Sequence, residues 1–120
     1  MFDLNMKNFR DTIISIVNQN GESIESDFYV DVDAENDAIM DLSIERHGEE
    51  LIVCQYYIQR GDLMRDPEVT FQIEADGTWT PMSYRVDPLN TYEYSTEGVP
   101  IGDMLDMWAE NLRMQGFVEE

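Results

Sequence analysis

The sequence predicts an α+β fold: an antiparallel meander of four or five strands flanked by an N-terminal and a C-terminal helix, packed as a two-layer sandwich. Three observations carry this. Apolar residues recur at helical spacing near both ends, they alternate with polar residues through the middle, and turn signals separate the alternating runs. The 120 residues, 1–120, read as a single domain. A chain of this size buries roughly 65% of its unfolded surface, enough for one modest core.

Residues 5–19 form the first helix. Met6, Phe9, Ile13, Ile16 and Val17 share one face, while Lys7, Asp11 and Asn18 lie elsewhere. Asn5 caps its start, and Asn20-Gly21 ends it. Residues 22–37 are polar and acidic apart from a short strand at Phe28–Val32. Beyond residue 38 the period becomes two: Met40, Leu42 and Ile44 alternate with Asp41, Ser43 and Glu45. A two-residue turn at His47-Gly48 pairs Arg46 with Glu49, Ile44 with Leu51 and Leu42 with Val53, which puts the apolar side chains on one face.

Asp76-Gly77 signals a second hairpin with a type I′ turn. Counting outward pairs Ile73 with Thr80, Phe71 with Met82 and Val69 with Tyr84, and places Trp79 on the face opposite Phe71 and Ile73. Pro81 lacks an N–H, so its strand lies at an edge or carries a bulge. The last helix runs from Pro100 to Gln115, with Asp103 and Asp106 near its positive end and Arg113 near its negative end. Ile101, Met104, Leu105, Trp108 and Leu112 form its buried stripe, and Gly116-Phe117 closes it. Both helices cover the same face of the sheet.

Charge narrows the partners. The chain has 26 acidic residues against 7 Lys and Arg, a formal charge of −19. Such an excess repels nucleic acid and anionic membranes as direct partners and favours a basic protein. The acid is uneven: residues 21–50 hold 11 acidic residues and one base, Arg46, a local net of −10. Asp27, Asp31, Asp33, Glu35, Asp37 and Asp41 are the candidate acidic surface. At 42% apolar with 13 aromatics (2 Trp, 6 Tyr, 5 Phe), the chain folds despite its charge. Met1-Phe2-Asp3-Leu4-Asn5 has no signal-peptide character, no apolar run spans a bilayer, and the single cysteine forms no internal disulfide. The expected compartment is the cytoplasm.

Catalytic patterns are scarce. Asp31-Val-Asp33-Ala-Glu35-Asn-Asp37 spaces oxygen ligands as an EF-hand loop does, but Asn36 and Leu42 stand where that loop needs Gly and Glu. A solvated acidic loop is the plainer reading, so no metal and no cofactor are expected. His47 in a turn reads as exposed, and Cys54 on a strand as a buried, inert thiol. Nucleophile elbows, glycine-rich phosphate loops and dinucleotide fingerprints do not occur. A nuclease core needing a lysine fails because Lys7 is the only one. The chain is therefore not expected to be an enzyme.

Two features remain. Arg60, Asp62, Arg65, Asp66 and Glu68 gather in a connection around Gly61 and Pro67, and Arg85 approaches them if Val69 pairs with Tyr84. They form either a salt-bridge network that orders the turn or a small-ligand-binding or enzymatic site. Tyr56, Tyr57, Trp79, Tyr92 and Tyr94 cannot all face inward on alternating strands, so an open aromatic face is expected, fit for a partner or for a homodimer.

The blocks Gly61-Asp-Leu-Met-Arg-Asp-Pro-Glu-Val-Thr-Phe71 and Trp79-Thr-Pro-Met-Ser-Tyr84, with the Trp-bearing last helix closing on Gln115-Gly116-Phe117, cover residues 50–117. They resemble an uncharacterised domain family of bacterial mobile elements and phages. The resemblance implies a setting and no catalytic residues. In that setting the leading expectation is an acidic accessory protein that binds a protein partner. A DNA mimic occupying a basic DNA-binding protein is its sharpest form. The alternative is a ligand or enzymatic site at 60–68 with Arg85, and a solubilising charge without further role is the plainest account.

Overall fold

The computed structural model describes residues 4–119, with side chains from Lys7 onward. The Asn5 cap and the Met6 side chain lie outside the described part. Helix α1 (Leu4–Gln19) is followed by strands β1 (Phe28–Val32), β2 (Asp41–His47), β3 (Glu50–Gln59), β4 (Asp62–Ile73) and β5 (Trp79–Val86). A 3₁₀ turn (Asp87–Leu89), strand β6 (Thr91–Tyr94) and helix α2 (Gly102–Met114) complete the order. The strands form one open antiparallel sheet in sequence order, β1 to β6. The meander is as expected, but it has six strands rather than four or five. The addition is β6, only four residues long and too brief for an alternation signal.

The 60–68 connection is the largest correction. Arg60 and Gly61 alone make the turn, at φ 54° and 86°, the paired positive values of a type I′ hairpin. The remaining residues belong to β4, which starts at Asp62. Pro67 hid this strand because proline removes a ladder donor. The chain accommodates it at a bulge: Cys54 pairs with Glu68 and Tyr56 with Arg65, so Asp66 and Pro67 together oppose Gln55.

Both expected hairpin registers also shift. In β2–β3, His47 pairs with Glu50 and Ile44 with Val53, because the turn is Gly48-Glu49, with Gly48 at φ 62°. The slip is two residues, so every apolar side chain keeps its face. In β4–β5 the slip is one. Gly77 donates its N–H to the Glu74 carbonyl, and Gly77 alone in the loop has positive φ, which makes a three-residue loop rather than the type I′ turn. Ile73 therefore pairs with Trp79 and Phe71 with Pro81. A bulge at Met82 restores the expected Val69–Tyr84 pair. A one-residue slip reverses faces, so Trp79 turns inward and is 4% exposed. Pro81 sits beside that bulge and not at an edge, since β5 lies between β4 and β6.

The core lies between this sheet and the two helices. Phe9, Ile13, Ile16 and Val17 from α1 and Leu105, Trp108, Ala109 and Leu112 from α2 bury against Leu42, Ile44, Leu51, Val53, Val69 and Phe71. The Phe9 ring lies 5.5 Å from Phe71 and 5.3 Å from Trp108, and Phe71 lies 5.7 Å from Trp79. Offset aromatic pairs of this kind add about 0.5–1.5 kcal/mol each beyond burial. Both helices end on a positive-φ glycine. The Glu22 N–H reaches the Val17 carbonyl past Gly21, and the Phe117 N–H reaches the Leu112 carbonyl past Gly116. Helix α2 starts at Gly102, so Pro100 precedes its first turn. None of the described helices is long and apolar enough to cross a membrane.

Candidate interaction face

Period two decides what the uncovered face of the sheet displays. Residues that alternate with the core positions, matched across the ladder, are Tyr29 and Asp31 on β1 and Asp41, Ser43, Glu45 and His47 on β2. Strand β3 adds Glu50, Ile52, Cys54, Tyr56 and Ile58. Beyond the β4 bulge come Leu63 and Arg65, then Glu68 and Thr70, with Ser83 and Arg85 on β5 and Tyr92 and Tyr94 on β6. Tyr29 (58%), Tyr94 (60%) and Ile58 (61%) stay largely exposed, and so do Tyr92 and Leu63. An open aromatic face exists as expected, but its members are Tyr56, Tyr92 and Tyr94 with the unforeseen Tyr29. Trp79 faces the core, and Tyr57, paired with Met64, falls in the opposite phase of β3.

The six residues singled out around 60–68 divide. Arg60 and Asp62 are exposed at the β3–β4 hairpin tip. Asp66 sits in the bulge, where burial first and then Asp87 raise its carboxyl above the ordinary value. Arg65, Glu68 and Arg85 meet on the open face. Arg85 Nε is 3.9 Å from Glu68 Oε1, and its guanidinium lies 4.4 Å from the centre of the Tyr92 ring. Arg65 is fixed by a residue that sequence reasoning missed: Asp87 Oδ2 accepts from both its backbone N–H (2.9 Å) and its Nε (2.8 Å). These two bonds, backbone first, hold the Asp87 carboxyl below its ordinary value. The available signal was Asp87-Pro88, an Asp-Pro turn two residues past Arg85.

The acidic residues divide too. Asp27 accepts the Gly48 N–H at 2.9 Å and Asp41 accepts the Ala34 N–H at 2.9 Å, so both order backbone. Asp31 accepts from the Tyr56 hydroxyl at 2.7 Å and the Tyr29 hydroxyl at 3.3 Å. The Glu35 carboxyl lies over Gly116, at the far end of α2. Asp33 and Asp37 line a hollow with Asp41, Tyr56 and Tyr57 at the β1–β2 connection. A strand places Asp31 two residues from Tyr29, a pairing readable only once Phe28, Val30 and Val32 are known to face the core.

A second hollow opens over the middle of the face, lined by Tyr29, Asp31, Glu45, Cys54, Tyr56 and Glu68 among others. Cys54 is 5% exposed at its floor, and burial, followed by Glu68, pushes its thiol up to about 12. At neutral pH it stays a thiol rather than a thiolate. Burial and the bond to Asp31 raise the Tyr56 hydroxyl, so it remains a donor. His47 is exposed, with Nε2 3.5 Å from Glu45. Among the described residues no group of His, Cys, Asp and Glu is arranged to hold a metal ion.

Comparison with known proteins adds a family. The family model for a domain of unknown function (DUF6908) matches residues 11–118, nearly the whole chain. No curated protein and no solved structure matches.

Proposed function

We propose that this chain, which belongs to the DUF6908 family, is a non-enzymatic binding module that takes a basic segment of a partner protein on the open face of its sheet. The observation that supports this is the asymmetry of the sheet. One face is covered by both helices, while the other carries Tyr29, Tyr92, Tyr94, Ile58 and Leu63 exposed among the carboxylates of Asp31, Asp41, Glu45 and Glu50. Tyrosines bring contact area and a polar tip at low entropic cost, and interfaces favour them. Carboxylates among them select a cationic partner and steer it in.

The mobile-element setting implied by the blocks at 61–71 and 79–84 supplies such partners, since DNA-handling proteins present basic faces. The reading assumes the cytoplasm as its compartment. DNA mimicry is its narrower form and needs the 27–41 carboxylates to act as phosphates. Asp27 is tied to the Gly48 turn, Glu35 lies over Gly116 at the end of α2 and Asp31 is on the open face. These carboxylates are divided between different parts of the fold, so docking on the tyrosine face has more support. Pairing two copies through this face sets the same carboxylates against each other, which favours a partner of opposite charge over a homodimer.

Affinity capture from host lysate, with wild type beside a Tyr29→Ser, Tyr92→Ser, Tyr94→Ser variant, tests the reading. A basic protein held by wild type, released by high salt and lost with the variant supports it. Equal capture by the variant refutes it.

A further inference from the structure

The open face already holds one cation in a defined way. Arg85 stacks on Tyr92 and leans toward Glu68, with 4.4 Å to the ring centre and 3.9 Å to the carboxylate. The hollow next to it repeats those components without a cation of its own. Tyr29 and Tyr56 line it, Asp31 accepts from both their hydroxyls, Glu45 lies opposite Tyr29, Glu68 is shared with the Arg85 site, and no lining residue is basic. The nearby Arg65 is held by Asp87; at that end of β2, His47 lies beside Glu45, while Arg46 falls in the opposite phase of the strand and donates to the Gly48 and Ile24 carbonyls.

We infer that this hollow seats one arginine side chain of the basic partner segment, a placement that rests on the open-face reading above. Charge complementarity identifies the occupant: carboxylates line the hollow and the tyrosine hydroxyls are turned to Asp31, which leaves their rings as walls. A planar guanidinium stacks on such rings and meets carboxylates with fixed donors, whereas an ammonium is a compact, strongly hydrated point. The exposed Ile58 and Leu63, toward the β3–β4 hairpin end of the same face, offer contact area to the residues flanking that arginine.

Three blocked heptapeptides test this, carrying arginine, citrulline or lysine at the centre, titrated into the full chain while backbone amide resonances are followed. The arginine peptide is expected to shift Tyr29, Glu45 and Tyr56 and to bind about tenfold more tightly than the neutral citrulline one, with lysine between. Glu45→Gln is expected to remove most of that preference. Glu93→Gln, an equal change in net charge at an alternating position of β6, is expected to leave it intact. Equal binding of arginine and citrulline peptides, or of arginine and lysine peptides, overturns the assignment, and so does equal loss in both variants. Shifts confined to Tyr92 and Tyr94 defeat the hollow alone. The absence of shifts anywhere on the face defeats the open-face reading with it.

Discussion

Asp87 holds Arg65 at two points, through the backbone N–H and through the guanidinium, and so ties the start of the 3₁₀ turn to the bulged part of β4. One carboxylate thereby fixes both the strand and the direction of its arginine. Asp87→Asn is expected to lower stability by about 1–2 kcal/mol, since bonds to charged groups contribute more than neutral ones but this pair is partly exposed. The Asp87 carboxyl is depressed in the fold, so its contribution is complete above the unfolded value of 3.8 and is lost as pH falls through the lower folded value. Urea midpoints of wild type and variant should thus converge in strong acid and separate at neutral pH.

Trp108 donates its indole N–H to Gln55 Oε1 at 2.8 Å, and Gln55 Nε2 reaches Gln115 and the Met40 carbonyl. Gln55→Ala leaves a buried donor unpaired and should cost about 1–3 kcal/mol. In a double-mutant cycle with Trp108→Phe, a clear coupling energy is expected; additive losses would show that the bond contributes little.

Trp79 tests the one-residue slip in β4–β5. Facing the core beside Phe71, its replacement by alanine should cost about 3–5 kcal/mol, read from chemical denaturation. A loss below about 1 kcal/mol would return the indole to the open face.

The fold class, both helices, the span of β1 and the β2–β3 faces were legible because each rests on a period sustained over several residues. What escaped depends on single residues that interrupt a period. Pro67 concealed the first half of β4, and the three-residue loop before Thr78 reversed Trp79 without changing the pattern of apolar letters. The 60–68 cluster looked like one site because its residues are adjacent in sequence. The hairpin instead sends Arg60 and Asp62 to a tip and leaves Arg65, Glu68 and Arg85 on the face. Their organisers, Asp87 and Tyr92, arrive from a part of the chain whose strand is four residues long. Tyr29 was invisible for a different reason: its role requires β3, which lies across β2 from β1, to bring Tyr56 to Asp31.

Net charge makes a prediction of its own. Self-repulsion at −19 should relax with added salt, and the melting temperature should rise as salt increases or as pH is lowered toward about 5. The raised Asp66 carboxyl adds in the same direction, because a group whose folded value lies above its unfolded one costs stability while ionised and regains it on protonation. A melting temperature independent of salt would mean that the carboxylates are already compensated locally.

Amide-shift mapping with an arginine-rich peptide reads the central claim most directly, because it reports which surface of the folded chain is touched. The account predicts changes on the open face, centred on Tyr29–Asp31, Ser43–Glu45, Cys54–Tyr56 and Tyr92–Tyr94, fading as salt is raised. Changes confined to the outer surfaces of α1 and α2, or a peptide that leaves the face unmoved at low salt, would contradict it.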